Sequence, residues 1–217
     1  MLGPTSSPES GSSVCGRFAF GFVVRPLFGE RVSGDAAMVA DWPDHLLVAL
    51  IDVLGHGGRA AAVADKIRSF LLASSPMSLQ ELYRNLRDAT QRDRGAAIIL
   101  CVIAKATGVG QFVGIGNTVC RVVGSSDVRL MPMAGILGQT HREPVCRPMG
   151  LQIGDTLIMH SDGVSSRFKL TDYPGLRHAE PRTVAMNIVH RFGKSHDDSS
   201  CLVVRRQEVP SAMGEKR

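Results

Sequence analysis

Aspartates stand next to small residues at the ends of several predicted strands. They are Asp35 after Gly34, Asp52 at the start of Asp52-Val53-Leu54-Gly55-His56-Gly57-Gly58, Asp162 in Ser161-Asp162-Gly163, and the pair Asp197-Asp198 before Ser199. Each of these acids alone is typical of a turn. Together they indicate that carboxylates converge, and carboxylate oxygens are the ligands that Mg²⁺ and Mn²⁺ prefer. Zinc is disfavoured because no His or Cys set has the spacing of a zinc site.

The segment that begins at Asp52 lies where a buried strand ends and a helix begins. Its glycines allow a tight turn and a close approach to a ligand, and the helix amino terminus favours phosphate. A glycine-rich turn with a capping aspartate is the alternative. A dinucleotide site is disfavoured, although Gly55-x-Gly57-x-x-Ala60 fits the loose pattern, because a second helix follows instead of a parallel strand. The Walker pattern fails because no Gly-Lys-Ser/Thr follows the glycines.

The elements that must position these acids follow from hydrophobic periodicity. Strands are predicted at residues 17–27, 36–40, 45–54, 96–104, 110–114, 119–123, 156–161 and 200–205. One helix begins at Gly57, a second opens with the capping box Ser78-Leu79-Gln80-Glu81, and a third spans residues 182–191. This order predicts an α+β fold with mostly antiparallel sheet, in which the first three strands are expected to pair.

Length and composition predict one domain at residues 14–207, between flexible tails at residues 1–13 and 208–217. No apolar stretch is long enough to span a membrane and no signal peptide is recognised, so a cytoplasmic protein with no membrane partner is expected. The five scattered cysteines predict reduced thiols rather than disulfides. Although the net charge is +5, basic and acidic residues are interleaved and aromatic residues are few, which argues against binding to nucleic acid.

Seven short blocks occur in the order in which the metal-dependent protein phosphatases carry them, and the chain most resembles the SpoIIE-type bacterial branch of that family. The blocks are Ser33-Gly34-Asp35, Asp52-Val53-Leu54-Gly55-His56-Gly57, Arg94-Gly95-Ala96-Ala97, Gly116-Asn117, Gly135-Ile136-Leu137-Gly138, Gly154-Asp155-Thr156-Leu157 with His160-Ser161-Asp162-Gly163, and Asp197-Asp198-Ser199-Ser200. They cover nearly the whole chain outside its tails. Within the branch, the short chain is most similar to a stressosome phosphatase.

The resemblance implies an αββα sandwich of two mostly antiparallel sheets flanked by helix pairs. It also implies two divalent ions, Mn²⁺ or Mg²⁺. Asp52 would bridge both ions, the Val53 carbonyl would bind one, Asp162 and Asp197 would bind the other, and Asp35 would act mainly through metal-bound water. Asp52, Asp162 and Asp197 would be catalytic through the water that the metals activate.

Two positions depart from the wider family. Val53 replaces a commoner glycine, and Leu54 stands where eukaryotic relatives place a histidine proposed as a general acid. His56 is left open between a helix-cap or turn role and that of the missing acid. His160 is expected to be a packed strand residue rather than a ligand.

The expected activity is hydrolysis of phosphoserine or phosphothreonine on a bacterial signalling protein, and the resemblance points to a phosphorylated STAS-domain component of a stressosome. No Cys-x5-Arg motif of the cysteine phosphatases is present. Two alternatives from another class are a catalytically silent phosphatase-fold module that holds a STAS partner, and a regulator that competes for a kinase. The presence of all the candidate acids argues against the first, and a metal-dependent turnover assay would separate both from an enzyme.

Overall fold

A computed structural model describes residues 9–125, 127–140, 142–165, 167–168, 175 and 178–208. The strands are β1 (Glu9–Cys15), β2 (Phe18–Arg25), β3 (Asp35–Asp41), β4 (His45–Val53), β5 (Ala96–Ala104), β6 (Val109–Ile115), β7 (Val119–Val123), β8 (Asp127–Leu130), β9 (Arg147–Gly150), β10 (Thr156–His160) and β11 (Ser199–Arg206). The helices are α1 (Gly57–Ala73), α2 (Leu79–Thr90) and α3 (Pro181–Phe192).

These strands form two sheets that pack face to face. One sheet has six strands in the order β1-β2-β11-β10-β7-β8, and the other has five in the order β3-β4-β5-β6-β9. Every pairing between the named strands is antiparallel. The predicted α+β class with two mostly antiparallel sheets is therefore confirmed. Within the described ranges, α1 and α2 cover the five-stranded sheet and α3 covers the six-stranded one.

Strand periodicity separates the two faces of each sheet. On β4, Leu47, Ala49 and Ile51 pack under α1 and α2, and the residues between them, such as Val48 and Leu50, pack against the other sheet. Successive side chains of a strand point to opposite faces. The alternation therefore carries the next even position, Asp52, into the space between the sheets.

The amino-terminal part of the fold differs from the prediction in two ways. Residues 9–13, predicted as part of a flexible tail, lie in β1, which pairs along its whole length with β2. Residues 1–8 and 209–217 of the predicted tails lie outside the described residues. In addition, the expected pairing of β2 with β3 does not occur. Instead, β2 pairs with β11 in the other sheet. Strand order in a sandwich depends on pairings across long stretches of sequence, which a local pattern does not contain.

Most of the other predicted elements are confirmed with boundaries shifted by one or two residues, whereas the short strands β8 and β9 were not predicted. The capping box at α2 is also confirmed, since the Ser78 side chain accepts a hydrogen bond from the Glu81 amide. No helix within the described ranges is both long and apolar enough to cross a bilayer.

Candidate metal centre

Asp35 and Asp52 face each other at one end of the inter-sheet space. They are direct cross-strand partners at the start of β3 and near the end of β4. Asp35 lies on the same face of its strand as the buried Ala37, which packs between the sheets. The antiparallel pairing thus brings together two carboxylates that are separated by seventeen positions in the sequence.

The opposite sheet contributes two serines to Asp35. Ser161 lies two residues after Met159 of β10, and Ser200 lies two residues before Leu202 of β11. Both Met159 and Leu202 pack between the sheets. Burial raises the pKa of Asp35 to about 7, and the nearby hydroxyls of Ser161 and Ser200 oppose the rise. Asp35 Oδ2 is nevertheless buried without a hydrogen-bond partner of good geometry. A buried carboxylate oxygen in this condition is a potential ligand for a cation.

Asp52 is the most strongly perturbed acid of the group. Burial raises its pKa to about 9, and the negative charges of Asp35, Asp162 and Asp197 add to the effect. The main-chain N–H of Asp162 donates a hydrogen bond to Asp52 and opposes the rise. The acids of both sheets therefore lie close enough to repel one another when ionised.

Asp162 and Asp197 form the part of the group that belongs to the six-stranded sheet. Burial raises the pKa of Asp162, and the Asp197 carboxylate raises it further by its charge and through a hydrogen bond between the two side chains. The Asn117 amide donates a hydrogen bond of 2.6 Å to Asp162 Oδ2. Lys194 lowers the pKa of Asp162 by its positive charge.

The residues present fit a divalent cation. Repulsion among four carboxylates is relieved by a bound cation, and an all-oxygen donor set suits Mg²⁺ or Mn²⁺. Within the described ranges, however, no three His, Cys, Asp or Glu side chains are grouped in a way that could hold a metal ion as they stand. Asp35, Asp52, Asp162 and Asp197 interact electrostatically across the two sheets, and their roles as ligands remain a prediction.

Asp197 and its neighbour Asp198 lie in different environments. Asp198 is buried, and its two carboxylate oxygens accept hydrogen bonds of 2.6 Å from the amides of Leu27 and Gly34. Asp197 is only partly buried and interacts with Asp162. Asp198 therefore supports the main chain before Asp35, and Asp197 remains the predicted ligand.

The main chain after Asp52 is held in place by three contacts. The Val53 amide donates to the Gly34 carbonyl at 3.2 Å and the Leu54 amide donates to the Gly95 carbonyl at 2.9 Å. The exposed Arg94 guanidinium donates to the Leu54 carbonyl at 3.2 Å. Because the Val53 side chain is buried under the helices, only its main chain can contribute to the site, and the ligand role of its carbonyl stays a prediction.

The two histidines of the motifs have different surroundings. His56 occupies the N-cap position of α1 but makes no capping hydrogen bond with its side chain, and its Nδ1–H donates to Glu30 Oε1 at 2.8 Å. His160 is buried, donates from Nδ1 to the Ser161 carbonyl and packs against the Phe168 ring. Burial lowers the pKa of His160 to about 4, so the ring is neutral, which agrees with the expected packing role.

Four residues near the acids were not predicted as site residues, namely Ser161, Ser200, Asn117 and Lys194. A signal existed for the two serines, because each continues the alternation of inward-facing residues on its strand. Asn117 stood in a recognised Gly-Asn block, but its contact with Asp162 spans 45 positions. We find no local signal for Lys194.

Comparison with known proteins relates the chain to a family. The family model of stage II sporulation protein E (SpoIIE) matches residues 43–207, about three quarters of the chain. That match includes Asp52, Asp162 and Asp197 but not Asp35. No curated protein sequence matches the chain significantly.

Solved structures share the fold at low sequence identity. A protein of a bacterial stressosome system that controls secondary messenger signalling is 23% identical, with a TM-score of 0.80 over 87% of this chain and 99% of the other. RsbX in complex with magnesium is 16% identical, with a TM-score of 0.79 over 90% and 98%. The catalytic domain of the serine/threonine phosphatase PstP with two manganese ions is 15% identical, with a TM-score of 0.65 over 88% and 99%.

Proposed function

Since the chain belongs to the stage II sporulation protein E family and has the fold of PP2C phosphatase domains, we propose that it is a metal-dependent protein serine/threonine phosphatase. The observation that carries the proposal is the meeting of Asp35 and Asp52 from one sheet with Asp162 and Asp197 from the other. Each acid raises the free energy of the others in the ionised form. Such a group is costly to maintain unless it binds cations.

The proposed ligand set is the one that the family resemblance implies. Asp52 would bridge two ions, the Val53 carbonyl would bind one, Asp162 and Asp197 would bind the other, and Asp35 would contribute through water. When bound, Mn²⁺ or Mg²⁺ would lower the pKa of a water molecule and neutralise phosphoryl oxygens.

The chain's own residues would orient the ligands. Asn117 holds one oxygen of Asp162, and the hydroxyls of Ser161 and Ser200 approach Asp35. Partners of this kind determine which oxygen of a carboxylate is available to a cation. None of the five cysteines belongs to the group, and burial raises the pKa of Cys201 and Cys101 well above neutrality, which leaves these thiols protonated. Reaction by direct hydrolysis, without a covalent phospho-enzyme, agrees with this arrangement.

We further propose that the substrate is a cytoplasmic phosphoprotein, namely a phosphorylated STAS-domain component of a stressosome. The similarity to RsbX and to a stressosome protein supports this choice. Large apolar side chains are also exposed on the segments that precede Asp35 and follow Asp52. Phe28 is 83% exposed and Leu54 is 45% exposed. Exposed apolar side chains of this kind suit contact with a protein better than binding of a small, fully charged metabolite.

The experiment that tests the proposal is release of phosphate from two substrates, an aryl phosphomonoester and a phosphorylated STAS-domain protein, with Mn²⁺ and with EDTA. We expect hydrolysis of both substrates with Mn²⁺ and none with EDTA. Activity on the aryl ester alone would contradict the STAS assignment but keep the chemistry. Binding of the phosphoprotein without hydrolysis of either substrate would favour the alternative, a catalytically silent module.

A further inference from the structure

Lys194 has a main chain that is fixed on both sides. Its amide donates to the Gly163 carbonyl at 2.7 Å, and its carbonyl accepts from the Arg25 guanidinium at 2.7 Å. The same guanidinium donates to Ser199 Oγ at 3.0 Å, and Ser199 Oγ donates to the Gly163 carbonyl at 2.9 Å. These contacts place Lys194 beside the residue that follows Asp162.

The Lys194 ammonium is close to the acids without being paired to one. Its charge acts on Asp162, yet no ion pair or hydrogen bond of its Nζ occurs within the described ranges. Other lysines differ, since Lys66 pairs with Asp93 at 2.6 Å and Lys105 pairs with Asp41. An ammonium has three donors, and no described side chain accepts from those of Lys194.

The acid group creates a need for such a cation. A phosphate monoester carries about two negative charges near neutral pH and is repelled by carboxylates. Lys194 is a basic residue whose positive charge acts on Asp162.

We propose that Lys194 Nζ binds the phosphoryl group of the substrate. This inference rests on the proposed phosphatase function, which it extends by naming a substrate-binding residue. Lysine binds phosphate as a point charge rather than in a fixed bidentate geometry. The fixed main chain of Lys194 compensates for that freedom by limiting where the ammonium can reach.

The test compares Lys194→Met and Lys194→Arg with Lys66→Met, which removes a surface lysine that pairs with Asp93. Four quantities are measured: the constant for inhibition by inorganic phosphate, KM and kcat for an aryl phosphomonoester, and Mg²⁺ affinity by calorimetry without substrate. In Lys194→Met we expect the inhibition constant and KM to rise about tenfold, the change typical of losing one charge-assisted hydrogen bond. We expect Lys194→Arg to stay within about threefold of the wild type because it keeps the charge.

Mg²⁺ affinity separates a binding role from a structural one. Lys194→Met removes a positive charge near Asp162, so its Mg²⁺ affinity should equal or exceed that of the wild type. An inhibition constant within twofold of the wild type would overturn the proposal, and so would a parallel loss of phosphate and Mg²⁺ affinity, which would indicate a distorted site.

The proposed phosphatase function can fail separately. If the wild type did not hydrolyse phosphoesters, calorimetric titration of inorganic phosphate into the Mg²⁺-loaded protein would still test Lys194. A tenfold weaker affinity in Lys194→Met would support the binding role there, and equal affinity in the two proteins would refute it.

Discussion

The Asp198 carboxylate accepts a hydrogen bond of 2.6 Å from the Gly34 amide, which ties the start of the last strand to the residue before Asp35. The contact joins the two sheets at the acid group. Gly34 has little space for a side chain, because a Cβ atom there would lie 2.8 Å from Ala60 Cβ and 3.0 Å from the Gly55 carbonyl oxygen. Asp198 therefore supports the geometry of the site through the main chain of its neighbours.

The pair Asp197 and Asp198 should separate metal binding from stability. We expect Asp197→Asn to lower Mn²⁺ affinity and turnover with little change in the urea midpoint. Asp198→Asn should instead lower the free energy of unfolding by about 1–3 kcal/mol, because it disturbs two buried, charge-assisted hydrogen bonds. Calorimetry and urea denaturation of both variants provide the measurements. A larger loss of Mn²⁺ affinity in Asp198→Asn, at unchanged stability, would show that the ligand is Asp198.

Asp52→Asn should be the most damaging single substitution at the site. Asp52 interacts with three other acids and is the predicted bridge between two ions. We expect turnover with Mn²⁺ to fall at least about a hundredfold, because loss of a residue that only orients a ligand already costs up to about that much. Asp65→Asn, which removes an exposed acid paired with Arg68, is the matched control and should retain full activity. Undiminished turnover in Asp52→Asn would refute the assignment of the site.

The metal-free protein should lose stability as the pH rises. Asp35 and Asp52 have pKa values of about 7 and about 9 in the folded protein, against 3.8 for an ordinary aspartate. Between the ordinary and the raised pKa values the folded state binds more protons than the unfolded state. The contribution of these two groups to the free energy of unfolding is therefore greatest below about pH 4 and is lost as the pH rises to about 9. Urea midpoints of the protein in EDTA, measured from about pH 5 to about pH 9, should therefore fall.

Two comparisons check the origin of that pH dependence. Asp52→Asn should flatten it, because the amide neither ionises nor repels the other acids. Mn²⁺ should oppose it, because the ion binds and stabilises the ionised carboxylates. Equal slopes for the wild type and Asp52→Asn would mean that other groups cause the effect.

Asn117 should act on metal affinity through Asp162. Its amide donates a 2.6 Å hydrogen bond to Asp162 Oδ2. We expect Asn117→Ala to weaken Mn²⁺ binding about tenfold to a hundredfold, the range for loss of a residue that orients a ligand. Asn85→Ala, on the exposed face of α2, serves as a control with no expected change. Unchanged affinity in Asn117→Ala would show that Asp162 needs no such support.

Local patterns were sufficient for most of the elements, though not for β1, β8 and β9, and they supplied the candidate acids. The alternation of apolar residues along β4 and the change to helical spacing at Gly57 placed Asp52 at the end of a buried strand, as observed. The capping box at Ser78 could also be predicted from the sequence, because Ser78 and Glu81 are only three residues apart. Features of this kind depend on neighbours in the sequence, so the sequence by itself determined them.

Contacts between distant segments were decided only by the tertiary structure. The pairing of β2 with β11 separates β2 from β3, and it brings Arg25 to Lys194 across 169 positions and Leu27 to Asp198 across 171. No local propensity encodes such a pairing, because it depends on which faces of two complete sheets bury the most apolar surface together. The sequence therefore determined which carboxylates are present, and the sandwich decided which side chains support them.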